Sequence, residues 1–204
     1  MNIKAVVFDY GQVISLPQDT KEMDRIAEKI GVDRITLDPV FWSLRDDFDR
    51  GSLDSKGYYR KLLSRLGKSM SDKEIEETLA IDFASWSNIN PDTVSLMTDI
   101  KNAGYTLGIL SNMPDEFLSW ARKNVPVFSL PQVALFSCEV DLIKPEPAIY
   151  QKLLSLLQMQ GSEVVFFDDK PVNIEGAQAF GIKAFVWESA AKSRTALASL
   201  RVKL

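Results

Sequence analysis

Four short apolar runs, each leading into a polar residue, constrain this chain more than any other feature. The first is Ala5-Val6-Val7-Phe8, closed by Asp9. The others cover residues 105–110 before Ser111-Asn112, Val133-Ala134-Leu135-Phe136 with Lys144-Pro145 downstream, and Val164-Val165-Phe166-Phe167 before Asp168-Asp169. Periodicity in so short a run does not separate strand from helix. The Val-Val-Phe content, and Gly11 two residues past Asp9, favour strand. Helical patterns separate the runs. Asn90-Pro91 opens one as N-cap and first helical residue, with Val94, Met97 and Ile100 inward and Gly104 as its stop. Others carry Phe117, Leu118 and Ala121, then Ile149, Tyr150, Leu153, Leu154 and Leu157, then Ile174, Ala177 and Ala179. Residues 184–187 read as a last strand and 190–200 as a closing helix. Strands alternating with helices at this spacing predict right-handed βαβ units and an α/β fold with a mainly parallel sheet.

Residues 18–89 break that alternation. They hold no convincing strand and four helical signals. Met23, Ile26, Ala27 and Ile30 form the first stripe, and Phe41, Leu44 and Phe48 the second. Asp54 caps a third helix with Tyr59, Leu62, Leu63 and Leu66 on one face. Ser71 with Glu74 is a capping box for a fourth, with Ile75, Leu79, Phe83 and Trp86 inward. The division is a core of residues 1–17 and 90–204 and a helical bundle of 18–89 inserted after the first strand. An insertion at a strand's carboxyl end overhangs the edge where parallel sheets bind ligands, so it is a candidate lid.

Composition narrows the chemistry. A net charge of −4 gives no basic footprint for nucleic acid. No apolar stretch is long enough for a membrane span. One cysteine, Cys138, excludes an internal disulfide and fits a reducing compartment. The start of the chain lacks the pattern of a secretory leader, which points to the cytoplasm. The 204 residues contain no histidine, which removes Ser-His-Asp and Cys-His catalysis and histidine-ligated zinc together. Chemistry must run on carboxylates, lysine and hydroxyls, with or without a hard metal.

Parallel strands put their carboxyl ends on one edge, so Asp9, Ser111 and Asp168-Asp169 share it and Lys144 can reach it. Each has a bland account: Asp9 as a turn former, Ser111-Asn112 as a helix start, Lys144 as a solvated side chain. Asp168-Asp169 is harder to dismiss, because adjacent acids repel unless a cation sits between them. Taken in order, Phe8-Asp9-Tyr10-Gly11-Gln12-Val13, Leu107-Gly108-Ile109-Leu110-Ser111-Asn112, Ile143-Lys144-Pro145-Glu146-Pro147 and Phe166-Phe167-Asp168-Asp169 with Asn173-Ile174-Glu175-Gly176-Ala177 resemble the four motifs of the haloacid dehalogenase-like (HAD) hydrolases. The resemblance spans nearly the whole chain and points to the phosphatase-type members with a helical cap, on the sugar-1-phosphate branch.

The resemblance implies a three-layer Rossmann-like parallel sheet with the inserted bundle as cap. Asp9 would be the nucleophile, forming an aspartyl-phosphate that water then cleaves. Mg²⁺ would take the Asp9 carboxylate, the Gly11 backbone carbonyl and Asp169 as ligands, with Asp168 acting through a water. Ser111, with backbone N–H groups near Asn112, would hold phosphate oxygens, and Lys144 would add positive charge as the transition state develops. The substrate would be a small phosphorylated metabolite. One position departs from the pattern. Most phosphatases of the family carry a second acid two residues after the nucleophile, and this chain has Gly11 there. Three readings follow: a substrate with a good leaving group, a proton from another group on the cap or the substrate, or a different activity. The family's dehalogenases also lack that acid and use no metal, but they lack the paired acids too. A non-catalytic phosphate-binding descendant is the third class.

Specificity is expected in the cap. Trp42, Arg45 and Asp49 form a stripe beside Phe41, Leu44 and Phe48. The bland reading is a helix edge in solvent. The functional one has Trp42 and Arg45 overhanging Asp9 and touching the leaving group. Trp86, Trp120 and Trp187 read as packing residues, and Cys138 as a buried small apolar one.

Overall fold

The computed structural model describes residues 2–204. Strand β1 (Ala5–Phe8) comes first, and after a turn at Tyr10–Ile14 the chain runs through α1 (Thr20–Ile30), α2 (Arg34–Ser43), α3 (Arg45–Arg50), α4 (Ser55–Arg65) and α5 (Asp72–Ser85). Then α6 (Pro91–Asn102), β2 (Thr106–Ser111), α7 (Asp115–Asn124), β3 (Val133–Phe136) and the short α8 (Ser137–Val140) follow. The chain closes with α9 (Pro147–Leu157), β4 (Val164–Asp168), α10 (Pro171–Gln178), β5 (Lys183–Val186) and α11 (Ala190–Ser199). None of the described helices is long and apolar enough to cross a membrane.

The five strands are all parallel, in the order β3-β2-β1-β4-β5. β1 is buried on both faces, which is why it reads as an unbroken apolar run. Val6 and Phe8 enter a cluster with Met97, Ile109 and Phe167. Ala5 and Val7 face the opposite cluster, with Tyr150, Leu153 and Phe166. This is the three-layer α/β sandwich. The order places β1 next to β4, while the connections from these two strands leave toward opposite sides. Their carboxyl ends therefore flank a switch point, where such sheets open a crevice. Phe8 pairs with Phe167 and the Asp9 N–H donates to the Phe167 carbonyl at 2.9 Å, so Asp9 and Asp168 emerge side by side.

Helices α1–α5 have a core of their own, built on Met23, Ile26, Phe41, Phe48, Tyr58, Tyr59 and Leu62. The chain enters and leaves this bundle through two adjacent segments: Ser15 bridges Ile89, and Leu16 donates to Asn88 O at 2.7 Å. The bundle rests on the sheet layer elsewhere too. Arg50 pairs with Glu146 at 2.5 Å, and the Ser55 N–H donates to Glu116 Oε1 at 2.9 Å.

Some details differ from the sequence reading. The second helix of the insertion is two helices, parted at Leu44 with φ −107° and ψ −2°. Ser43 Oγ donates to the Val40 carbonyl just before the break, which competes with the helical ladder. The bend still buries Phe41, Leu44 and Phe48. On α6, Val94 packs half-buried against the core as expected, and Thr93 beside it is buried as well, its hydroxyl donating to Val13 O at 2.7 Å. The last strand begins at Lys183, one residue earlier than the pattern suggested.

The turn before β4 makes a stability prediction. A Cβ on Gly161 would lie 2.0 Å from the Phe180 carbonyl oxygen, whereas one on Gly67, at φ +64°, would meet nothing within 4 Å. Gly161→Ala is expected to cost about 3 kcal/mol through backbone displacement, against about 1 kcal/mol of conformational strain for Gly67→Ala. Urea denaturation measures both; equal losses would contradict the packing argument.

Candidate active site

The crevice at the ends of β1, β2 and β4 gathers Asp9, Ser111, Lys144, Asp168 and Asp169. Lys144 reaches it from the loop after α8, and its side chain is only 2% exposed. Its Nζ lies 2.8 Å from Asp9 Oδ1 and 2.6 Å from Asp168 Oδ2, and donates to the Leu110 carbonyl at 3.0 Å. Burial alone would favour the neutral amine. The Asp168 and Asp9 carboxylates outweigh it and hold the lysine above its ordinary range. Asp9 is pushed up to about 6, chiefly by burial, with Lys144 opposing and Asp168 and Asp169 adding to the rise. Its Oδ1 has the distance of an ion pair with Lys144 but not the angles of a hydrogen bond.

Asp168 is fully committed. Oδ1 accepts from the Lys170 N–H at 2.9 Å and from Asn173 Nδ2 at 2.9 Å; Oδ2 accepts from Lys144 and from Asn173 Nδ2 at 3.1 Å. Asn173 is fixed in turn by Tyr150, whose hydroxyl donates to the Asn173 carbonyl at 2.8 Å. Asp169 is half-buried, and its Oδ2 accepts from Gln12 Nε2 at 2.9 Å. Burial and the charge of Asp168 raise its pKa. Asn112 spends its side chain on the Lys144 backbone, accepting from its N–H at 2.8 Å and donating to its carbonyl at 3.0 Å. Its amide is thus a clamp on the lysine loop, so only its backbone remains for the anion-binding role expected of it. Ser111 is buried, and the nearest acceptor of its hydroxyl, the Asn112 carbonyl, is 3.5 Å away, so the group is spare.

One oxygen from each of Asp9, Asp168 and Asp169 lies within 4.8 Å of the others. Lys144 pairs with two of these carboxylates, and Lys170 adds positive charge beside Asp169. The donor set suits a hard divalent cation, which takes carboxylate and carbonyl oxygens. Since both Asp168 oxygens are used, Asp9 and Asp169 are the acids left for direct contact. Gly11 sits on the turn that follows Asp9, in an extended conformation (φ −63°, ψ 126°), next to Gln12 at φ +60°.

A cavity of about 290 Å³ lies between sheet and bundle. Asp9, Gly11, Gln12, Ser111, Lys144 and Asp169 line one wall; Trp42, Arg45, Asp49, Asp82, Phe83 and Trp86 line the other. Trp42 and Arg45 therefore share a cavity with Asp9 in spite of the helix break. Arg45 pairs with Asp49 at 2.9 Å, and its guanidinium lies 5.1–5.9 Å from the ring centroids of Phe48, Phe41, Trp42 and Tyr58. Burial disfavours its charge, but Asp49 and Asp82 keep the guanidinium protonated. Phe83 packs against the bundle core as expected and also lines the cavity, whereas Trp86 packs against the sheet core and lines the cavity. Trp120 joins Phe83 and Phe117 in an aromatic cluster, and Trp187 packs on Phe8 and Phe167. Cys138 is half-buried, with its thiol pushed up to about 12 by burial.

The sequence reading missed Gln12, Asn173 and Asp82. Asn173 sat inside a quoted motif without a role, and Gln12 gave no signal. Asp82 did give one: it is a carboxylate within the apolar stripe of α5, one turn before Trp86.

Comparison with known proteins agrees with this architecture. A family model described as haloacid dehalogenase-like hydrolase matches residues 3–181, and the chain belongs to that family. The chain is 23% identical over 201 residues to Phosphatase MT3486 of Mycobacterium tuberculosis, covering 95% of this chain and 91% of that protein. It is 34% identical over 91 residues to (S)-2-haloacid dehalogenase 1 of Pseudomonas sp. (strain CBS-3), covering 45% of this chain and 40% of that one. The HAD family enzyme bt-2542 of Bacteroides thetaiotaomicron, crystallised in complex with magnesium and inorganic phosphate, superposes with a TM-score of 0.70 at 25% identity, covering 92% and 96% of the two chains.

Removing Asp168 tests the buried network. Asp168→Ala leaves Lys144 with Asp9 alone and strands the Asn173 amide, so it is expected to cost about 3–5 kcal/mol in urea unfolding. A loss below about 1 kcal/mol would mean that the ion pair is not structural.

Proposed function

We propose that this chain is a Mg²⁺-dependent phosphomonoester hydrolase that works through an aspartyl-phosphate on Asp9. The observation that carries the reading is the group of three carboxylates at the sheet edge of the cavity, Asp9, Asp168 and Asp169, set against Lys144 and, beside Asp169, Lys170. Such a set repels itself and any phosphate unless a divalent cation joins it. Asp9, Asp169 and the Gly11 carbonyl would hold Mg²⁺, with Asp168 one shell further out; bound there, the ion would neutralise the repulsion between carboxylate and phosphate. The relative of known structure that holds magnesium and phosphate supports this assignment, as does the phosphatase relative matched along its length.

The chain's own residues divide the remaining work. Asp9 attacks phosphorus in line with the departing oxygen. Lys144 keeps Asp9 ionised and in place, and contributes positive charge as the transferring group passes between oxygens. Asp168, Asn173 and Tyr150 hold that lysine. The spare Ser111 hydroxyl and backbone N–H groups near Asn112 bind phosphate oxygens. Residues 18–89 act as the cap, with Trp42 and Arg45 contacting the leaving group. A cavity of about 290 Å³ suits a small metabolite such as a sugar phosphate. No basic surface argues for nucleic acid, and we place the reaction in the cytoplasm.

A second reading is a 2-haloacid dehalogenase. Gly11 in place of a second acid favours it, and so does the 34% identity to a dehalogenase over 91 residues. The same assay separates the two. Hydrolysis of an aryl phosphate is expected only with Mg²⁺, to fall at least 1,000-fold in Asp9→Asn, and to show a raised KM in Arg45→Ala. Halide release from a 2-haloacid without metal would replace the phosphatase reading. Absence of both, with phosphate still raising the melting temperature, would leave a binding protein.

A further inference from the structure

If the chain hydrolyses phosphomonoesters, the departing oxygen of an alkyl ester needs a proton, and Gly11 cannot give it. A Cβ at position 11 would make van der Waals contact with Trp86 Cζ3 at 3.6 Å, so this position faces the indole. Trp86 ends α5, and Asp82 lies one turn earlier on the same helix face. Asp82 is 1% exposed and lines the cavity that Asp9 lines.

The carboxyl of Asp82 is incompletely used. Oδ2 accepts from the Tyr59 hydroxyl at 3.3 Å, a long bond, while buried Oδ1 has no hydrogen-bond partner. A buried, unpaired carboxyl oxygen is costly for stability, and sites of that kind are retained where they act. Among its neighbours the Trp86 indole N–H is likewise unpartnered and lies close enough to favour the Asp82 carboxylate, while the other polar groups are engaged. Asp49 is tied to Arg45, the Tyr58 hydroxyl donates to Phe41 O at 2.6 Å, and the Tyr10 hydroxyl to Trp86 O at 2.8 Å. Burial drives the Tyr10, Tyr58 and Tyr59 phenols upward and leaves them poor acids.

We propose that Asp82 is the general acid of this enzyme, a cap residue that replaces the missing acid at position 11. In the first half-reaction an Asp9 oxygen bonds to phosphorus and the bond from phosphorus to the leaving oxygen breaks. The Asp82 proton passes to that oxygen, giving the alcohol and an Asp82 carboxylate. In the second, a water oxygen bonds to phosphorus, the phosphorus–Asp9 bond breaks, and the water proton returns to Asp82. Burial, opposed by Arg45 and by the Tyr59 hydroxyl, pushes Asp82 up to about 6, with Asp49 adding to the rise. Tyr58 and the Trp86 indole complete its surroundings, and Asp9, Lys144, Asp169 and Lys170 line the facing wall. An acid near 6 is well matched to proton transfer near neutral pH.

The test compares wild type and Asp82→Asn on a series of alkyl and aryl phosphates with Mg²⁺. Wild-type kcat/KM should vary little with the basicity of the leaving group. Asp82→Asn should lose about 100-fold or more on alkyl esters but under about 10-fold on an aryl ester that leaves readily. A steep dependence already in wild type, or the same loss on every ester, would overturn the assignment. Wild type inactive on all of them would overturn the phosphatase reading and this proposal with it. A second readout needs no turnover. Between the ordinary carboxylate pKa and about 6, the folded chain holds a proton on Asp82 that the unfolded chain has released. Folding stability is thus highest below that window and falls as pH rises through it. Asp82→Asn removes this loss, so it should melt higher than wild type at pH 8, with the gap closing toward pH 4. A gap independent of pH would overturn the proposal.

Discussion

A lysine ammonium with 2% of its side chain exposed is the constraint on which the rest of this structure depends. Desolvating such a charge costs several kcal/mol, and only close anions and acceptors offset it. Asp9, Asp168 and the Leu110 carbonyl do so, and they come from three strands. The sheet must therefore keep β1 between β2 and β4 for Lys144 to be buried at all. The lysine also ties a region with little secondary structure, the loop after α8, to the sheet edge. Asn112 grips its backbone from the end of β2, while Asn173 and Tyr150 brace Asp168 from α10 and α9. One cation thereby organises the nucleophile, the loop and two helices on the same side of the sheet.

That cation does not finish the neutralisation. Asp9, Asp168 and Asp169 crowd within 4.8 Å, and the bundle opposite adds Asp49 and Asp82 against Arg45. The two walls solve their charge problems differently. On the sheet side the acids are left short of positive charge, which suits a divalent ion. On the bundle side Arg45 is enclosed by four aromatic rings and paired with Asp49, and Asp82 is the acid left over. Trp86 brings the two walls together, since its ring lies within van der Waals reach of a Cβ at position 11.

The sheet was legible in the sequence because buried parallel strands leave unbroken apolar runs, and each run here ends in a polar residue at the same edge. Asp9, Lys144, Asp168 and Asp169 followed from that, with Ser111 beside them. Less visible were features set by tertiary packing. Periodicity carried the stripe Phe41, Leu44, Phe48 straight through Leu44, because a bend that keeps all three buried leaves the stripe unchanged. The role of the Asn112 side chain depends on a partner 32 residues away in sequence. Phe83 and Trp86 satisfied the apolar stripe of α5 equally well whether they faced the bundle or the cavity. Asp82 was the one charged residue of that helix at a buried position, and such contradictions mark where function overrides packing.

The central claim is that the β1 and β4 acids and the Gly11 carbonyl hold one divalent ion beside the nucleophile. Crystals grown with Mn²⁺ and inorganic phosphate, and recorded at the manganese absorption edge, test it most directly. The account predicts one anomalous peak per chain, in contact with Asp9, Asp169 and Gly11 O and absent from Asp169→Asn. No peak there, or one that persists in the variant, would contradict it.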